Sequence, residues 1–136
     1  MEDYIVVTME REPVIYRGYR NANKGAQVER SDKRNLDPRA DLADHSPDGF
    51  DWGYGGSGPA QLAVAMLADT LRDRMPNKPE ADRMTMKLYQ DFKRYIISGL
   101  PYNTWQLEQN AVFNWFLEHI KKFFPKIHAI VAKRGV

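Results

Sequence analysis

The sequence contains no cysteine. Disulfide bonds, thiolate nucleophiles and cysteine-ligated zinc sites are therefore excluded, because each of them needs a cysteine sulfur. A chain without cysteine is more typical of the cell interior than of secreted proteins. No stretch near the N-terminus joins a basic start to an apolar run long enough for a signal peptide. We therefore expect a cytoplasmic protein.

Long apolar runs are also missing. The longest one, residues 62–68, is far shorter than the roughly 20 residues that a membrane-spanning helix needs, so we expect no membrane segment. The chain of 136 residues is 43% hydrophobic and 12% aromatic, which fits one packed domain over residues 1–136.

The net charge of +2 is small but unevenly distributed. Residues 37–51 hold five aspartates against Arg39 alone. After His119 no acidic side chain follows, and the basic residues there are Lys121, Lys122, Lys126, Lys133 and Arg134. Such a basic tail usually forms a solvated face, and a contact with nucleic acid is the functional alternative.

Apolar alternation and turn residues predict an α+β fold with a small antiparallel N-terminal sheet of about three strands. The strands are expected at 4–8, 13–20 and 26–30. Gly18, inside the second of them, indicates a bulge or a close backbone neighbour. The expected order along the domain is a β-hairpin or meander (3–30), a loop with a glycine-rich corner (31–58) and a helical part (59–136).

About three helices should pack against this sheet, at about 59–74, 80–98 and 108–124. The first is apolar on all sides and should be the buried central helix. We expect Pro59 at its first position and Ser57 or Gly58 as its cap. Phe124 falls off the apolar stripe of the third helix and is the best candidate for a partner contact. Residues 127–132 fit a helix or a strand equally well.

The most unusual stretch is 44–63, DHSPDGFDWGYGGSGPAQLA, where a glycine-rich corner precedes the central helix. Its glycines match the dinucleotide fingerprint G-x-G-x-x-G, but a buried strand before them and a second parallel strand after the helix are not predicted. They also have the spacing of a P-loop, yet Pro59 and Ala60 replace the residues that bind phosphate and magnesium. An EF-hand beginning at Asp44 fails because its twelfth position is Gly55 rather than glutamate. We therefore expect no cofactor and no metal.

A more general property of the corner remains. The free N–H groups at a helix start and the positive end of its dipole attract an anion. That anion can be a phosphate, a substrate carboxylate or one of the chain's own aspartates, and the last is the commonest arrangement. Trp52 and Tyr54 would either stack on a base or sugar or cover the core. The predicted binding residues are His45, Asp48, Trp52, Tyr54, Gly55, Gly56, Ser57, Gly58 and Gln61.

Enzymatic activity has weaker support. His45 is the one histidine near the corner, and with Asp48 it could form the acid–base pair of a hydrolase. A lone loop histidine beside aspartates is more often a surface or capping residue, which favours a protein that is not an enzyme. His119 and His128 lack the spacing that puts two metal ligands on one helix face.

The sequence resembles one family over about residues 13–120. The resemblance rests on 46–63 and on the shorter elements Tyr16-Arg-Gly18, Phe92-Lys-Arg94, Gly99-Leu-Pro101 and Trp105-Gln-Leu107. The family consists of small uncharacterised proteins of bacteria, archaea, phages and plasmids that share a WGYGGSGPAQLALA-type signature. It implies a compact accessory domain, often carried by mobile elements, and assigns no role to individual residues.

Two hypotheses about function therefore lead. In the first, a non-enzymatic binding domain holds an anionic or nucleotide-like ligand, or nucleic acid, at the glycine-rich helix start. In the second, a protein-interaction or inhibitor protein of the phage or mobile-element type contacts a host protein. A homodimer is the simplest form of the second hypothesis, because a two-fold axis lets one surface pair with itself.

Overall fold

A computed structural model describes residues 3–8 and 12–132 and confirms an α+β fold. The strands are β1 (Asp3–Thr8), β2 (Ile15–Asn21), β3 (Gly25–Arg30), β4 (Trp105–Glu108) and β5 (Ile127–Ala132). The helices are α1 (Ser57–Arg74), α2 (Lys78–Tyr95) and α3 (Gln109–His119), with single 3₁₀ turns at Ile97–Gly99 and Ile120–Lys122. Residues 127–132, which the sequence left open, therefore form a strand. The basic residues Lys133 and Arg134 lie outside the described residues.

The antiparallel sheet has the strand order β3-β2-β4. The hairpin of β2 and β3 was predicted, whereas the third strand is β4 rather than the expected first strand. β1 pairs instead with β5, in parallel, as a separate two-stranded sheet. In β1 buried and exposed side chains alternate, and the buried Ile5 and Val7 identify its inner face. This alternation carries no information about which strand pairs with β1.

The central helix is α1, as predicted. All residues from Gly58 to Ala68 are buried, because small and apolar side chains surround this part of the helix on every side. It begins at Ser57, so the predicted caps Ser57 and Gly58 lie inside the helix, and Pro59 occupies its third position rather than the expected first. Gly56 is the N-cap, with an extended φ of 175°, and among the described residues no side chain caps the helix.

The second and third helices end earlier than the apolar pattern suggested. The α2 helix ends at Tyr95, three residues before the expected end at 98, and Tyr95 is 59% exposed. The 3₁₀ turn after α3 changes which side chains face inward. Phe124 is therefore half-buried against the core and Phe123 is 46% exposed, the reverse of the prediction that made Phe124 a partner contact.

The core fills the space between α1, the three-stranded sheet and the helices α2 and α3. Its largest fully buried side chains include Trp52, Tyr16, Phe92 and Phe116. In the part of the chain that the structure describes, no helix is both long enough and apolar enough to cross a membrane.

Candidate binding corner

The glycine-rich corner is a tight turn anchored to the segment after α2. Gly53 has a φ of +85°, and its N–H donates to the carbonyl oxygen of Ile97 at 3.1 Å. A Cβ at this position would lie 3.2 Å from the carbonyl oxygen of Leu100. Gly55 and Gly56 do not lie in the left-handed region of positive φ, since the backbone of Gly56 is extended. The left-handed backbone of the corner is therefore at Gly53.

A carboxylate of the chain itself lies beside the start of α1. A Cβ on Gly58 would be 2.7 Å from the Cβ of Asp51, so glycine is needed there for close approach. Asp51 accepts hydrogen bonds from its neighbour Trp52 N–H at 2.9 Å, from the Tyr54 hydroxyl at 2.9 Å and from Arg20 at 3.0 Å. Partial burial raises the pKa of Asp51, but these three donors outweigh it and lower the pKa below its ordinary value.

Trp52 supports the corner from inside. Its side chain is fully buried and meets Trp105 edge-on, with the ring centres 5.4 Å apart. Its Nε1–H donates to the carbonyl oxygen of Tyr102 at 2.8 Å. The guanidinium of Arg20 lies 4.7 Å from the Trp52 ring centre. While Trp52 is buried in this way, its ring is not accessible to a base or sugar.

The exposed part of the corner is built by Arg20, Tyr54 and Tyr102. The Arg20 guanidinium stacks 3.8 Å from the ring centre of Tyr102 and donates from Nε to the Tyr102 carbonyl oxygen at 2.8 Å. Tyr102 is 67% exposed and Tyr54 is 49% exposed. We call Arg20, Asp51, Tyr54 and Tyr102 the corner surface. Its polar groups bond to each other, which fixes the positions of both tyrosines.

Gln61 ties the acidic loop to the first turns of α1. Its Oε1 accepts from the N–H groups of His45 and Ser46 at 2.7 and 3.2 Å, and its Nε2 donates to the carbonyl oxygens of Pro38 and Ala43 at 2.7 and 2.9 Å. A buried amide that makes four hydrogen bonds holds the loop in one arrangement.

His45 and Asp48 are both exposed on this loop. The Nε2 of His45 lies 2.9 Å from the hydroxyl oxygen of Tyr89. No hydrogen bond between His45 and Asp48 occurs among the described residues. The acid–base pair of the hydrolase hypothesis is therefore not assembled in this structure.

The predicted binding residues thus fall into three groups. Tyr54, Gly55 and Ser57 are exposed at the corner, with Gly56 half-buried between them. Trp52, Gly58 and Gln61 are buried beneath it, and His45 and Asp48 lie on the loop held by Gln61. Sequence reasoning missed Arg20 and Tyr102. The sequence of β2 could have indicated Arg20. Residues two and four apart in a strand share a face, so this charged residue lies on the same face as the buried Tyr16.

A second cluster of polar side chains joins the sheet to α1 and α3. Arg30, 1% exposed, forms ion pairs with Asp32 at 2.8 Å, Asp73 at 2.9 Å and Asp69. The Tyr16 hydroxyl donates to Asp69 at 2.6 Å. Burial raises the pKa of Asp69 above its ordinary value. Burial also acts to raise the pKa of Asp73, but donors and cations around it lower the pKa overall.

This cluster forms one wall of a cleft of about 420 Å³, lined by Arg34, Asp37, Arg39, Asp41, Ala65, Asp69, Arg72 and Asp73. Each arginine that lines the cleft is paired with an aspartate, Arg34 with Asp73, Arg39 with Asp41 and Arg72 with Asp82, so the charges satisfy each other. We therefore assign to it the stabilisation of the fold. Within residues 3–8 and 12–132, no group of three or more His, Asp or Glu side chains could hold a metal ion.

Comparison with known proteins gives one match. Searches of curated proteins and of solved structures each found nothing that matches the chain. Residues 16–118 match the Family of unknown function (DUF6166), and the segment contains the corner, the charged cluster and all three helices except the last residue of α3. This agrees with the resemblance that the signature in 46–63 carries. The chain belongs to this family of unknown function.

Proposed function

We propose that this chain is a non-enzymatic binding domain that docks a protein partner through the corner surface. The observation that carries the proposal is a pair of exposed tyrosines in fixed positions. Tyr102 is held by the guanidinium of Arg20, which also contacts the Trp52 ring. Tyr54 is held by its hydrogen bond to Asp51. Tyrosine and arginine are enriched among residues that dominate binding energy at protein interfaces. Because Tyr54 is already held by a hydrogen bond and the Tyr102 ring by its stack with Arg20, little conformational entropy is lost when a partner binds.

The charge around the corner favours a basic partner. Asp44 and Asp48 are exposed on the loop that Gln61 holds beside α1, and Asp51 lies on the corner itself. Asp44 and Asp48 repel a polyanion and attract lysine and arginine side chains, whereas the charge of Asp51 is offset by Arg20. The corner is therefore better suited to a basic protein surface than to nucleic acid. A host protein is the partner expected for an accessory protein of a mobile element.

A small anionic or nucleotide-like ligand is the second candidate for the same place. Gly55 and Ser57 are exposed at the start of an 18-residue helix, next to the half-exposed ring of Tyr54. The Cβ of Asp51 packs against Gly58, so the negative charge of this residue lies close to the helix start and opposes an anionic ligand there. This repulsion makes the small-ligand hypothesis the weaker one.

Site-specific photo-crosslinking tests the protein-docking proposal. A photoreactive phenylalanine analogue replaces Tyr54 or Tyr102 in the full chain, and the control places it at Lys24, which is exposed in the β2–β3 turn. Irradiation in cells should give the same cross-linked protein from positions 54 and 102 and not from 24. No cross-link, or equal yields from all three positions, argues against the proposal. A cross-link between two copies of the chain would assign the corner to self-association.

Thermal shift with a panel of nucleotides and inorganic phosphate tests the small-ligand candidate. A ligand at 100 times its dissociation constant should stabilise the fold by about 2.7 kcal/mol. Flat melting curves across the panel would remove this candidate and leave protein docking untouched. For either binding function we propose a cytoplasmic location, the compartment that the cysteine-free sequence favours.

A further inference from the structure

A second surface combines exposed rings with lysines. It follows α2 from Lys87 to Tyr95 and is completed by the segment after α3. Tyr95 is 59% exposed and Phe123 46%. The Nζ of Lys122 lies 5.4 Å from the Tyr95 ring centre, and that of Lys87 lies 5.7 Å from the Phe124 ring centre. We call Lys87, Tyr95, Lys122, Phe123 and Phe124 the basic aromatic face.

The rings of this face are supported from the core. Trp115 meets the buried Phe92 edge-on, with ring centres 5.1 Å apart, and stacks on His119 at 4.2 Å. His119 lies 6.5 Å from Tyr95 and is also linked by its Nδ1 to the Trp115 carbonyl oxygen at 2.8 Å. A continuous series of rings therefore leads from the core to the exposed Tyr95.

The charge that remains available on the face is positive. Asp91, on the same side of α2, is paired with Arg94 at 3.0 Å. Glu118 belongs to a different surface, the apolar cleft beside β5. Neither Lys87 nor Lys122 forms an ion pair with a carboxylate among the described residues. Both ammonium groups can therefore move from their rings to an anion without breaking a salt bridge.

We infer that the basic aromatic face binds single-stranded nucleic acid. Lysines neutralise phosphates and release their counterions, and exposed rings stack with unpaired bases. Stacking strengthens binding roughly 5- to 150-fold per base, whereas an exposed cation–π contact contributes roughly 2- to 5-fold. A base can therefore displace lysine from the Tyr95 ring, and the released ammonium can reach a phosphate. A duplex keeps its bases stacked and cannot use the rings.

This surface shares no residue with the corner surface, so the inference does not depend on the proposed function. Lysines near a helix C-terminus also stabilise the helix dipole without any ligand. Lys122, which follows α3, can have that role alone. For this reason the test measures binding and its salt dependence rather than stability.

Fluorescence anisotropy of the full chain with labelled 12-nucleotide dT and U strands, and with a 12-base-pair duplex, tests the inference. The single strands should bind more tightly than the duplex at 50 mM salt. The logarithm of the binding constant should fall linearly with the logarithm of salt concentration, by about 0.7 for each phosphate contact.

Two variants separate the phosphate and base contacts. The double variant Lys87→Gln/Lys122→Gln should weaken binding roughly tenfold and reduce the salt slope by about 1.4. Tyr95→Leu should also weaken binding roughly tenfold but leave the slope unchanged, because it removes stacking and no charge. The charge-matched control Lys24→Gln/Lys33→Gln, at exposed positions in other turns, should bind as the unchanged chain does.

The inference is overturned by any of four results. The first is that the unchanged chain does not bind single strands at 50 mM salt. The second is that it binds the duplex as tightly as single strands. The third is that the control double variant loses as much affinity as the Lys87/Lys122 variant. The fourth is that polyglutamate displaces the strands at equal charge concentration, which would assign the face to acidic protein partners.

Discussion

Gly53 lies against the backbone of Leu100, and a Cβ on Gly53 would come within 3.2 Å of the Leu100 carbonyl oxygen. The positive φ of Gly53 adds a second reason for glycine at this position. Gly53→Ala should therefore lower the free energy of unfolding by about 1–3 kcal/mol, because a side chain is strained in the left-handed region and the oxygen cannot move freely.

The matched control for this prediction is Gly55→Ala. Gly55 is outside the left-handed region, and no described atom lies within 4 Å of the Cβ that alanine would add. Its free energy of unfolding in urea should stay within about 0.5 kcal/mol of the unchanged chain. Equal losses from both variants would mean that the corner needs general flexibility rather than one left-handed residue.

Gly18 makes room for a tryptophan ring. A Cβ there would lie 2.2 Å from Cε2 of Trp105, which is itself held against Trp52. The pairing of β2 is continuous through this position, so the glycine marks a close neighbour and not a bulge. Gly18→Ala should cost about 1–3 kcal/mol of stability by overpacking.

A double-mutant cycle in urea checks the cause of this loss. In a Trp105→Ala background the Gly18→Ala change should cost much less, which gives a coupling energy of at least about 1 kcal/mol. Additive effects of the two substitutions would show that Gly18 is needed for a backbone reason and that the Trp105 ring is not the obstacle.

Asp82 should make stability depend on pH. Arg72 lowers the pKa of Asp82 to about 2, and Arg39 assists. Each guanidinium group donates to the carboxylate from two of its nitrogens. A folded-state pKa below the unfolded one stabilises the protein above the unfolded pKa, and this contribution disappears as pH falls from about 4 to about 2.

Asp82→Asn should therefore destabilise the protein by about 1–2 kcal/mol at pH 7, after an allowance for solvent screening at the half-exposed Arg72, and by much less near pH 2. Urea titrations of both proteins across this pH range provide the measurement. Asp48→Asn, at an exposed position of the acidic loop, is the control and should be nearly neutral. A loss that is independent of pH would contradict the ion-pair explanation.

The sequence predicted those parts of the fold that local residues determine. Glycine and proline marked the turn before α1, and the apolar composition of 62–68 identified the buried helix. The N-cap at Gly56 and the early end of α2 were missed, because helix ends depend on one or two residues of local geometry.

Contacts between distant residues could not be predicted in the same way. Arg20 and Tyr102 are 82 residues apart, and nothing in their local sequences indicates that they stack. The parallel pairing of β1 with β5 joins segments from opposite ends of the sequence, and both strands lie entirely outside the segment that matches the family. Alternation identified the buried face of β1 but not its neighbour.

The Tyr16 hydroxyl connects the sheet to α1 and α3. It donates to Asp69 at 2.6 Å and accepts from Nε2 of Gln109 at 3.1 Å in a buried position. Tyr16→Phe should therefore lower the free energy of unfolding by about 1–3 kcal/mol at pH 7, because Asp69 and Gln109 each lose a hydrogen bond in a buried position.

Two measurements test this prediction. Tyr19→Phe, on the opposite face of the same strand and partly exposed, makes the same chemical change and should cost less than about 0.5 kcal/mol. The hydrogen bond from Tyr16 acts to lower the pKa of Asp69, so its removal raises that pKa further. The loss caused by Tyr16→Phe should therefore be largest where Asp69 is ionised and become smaller as the pH falls and the carboxylate is protonated. A loss that grows on acidification would show that the hydroxyl does not stabilise the ionised form of Asp69.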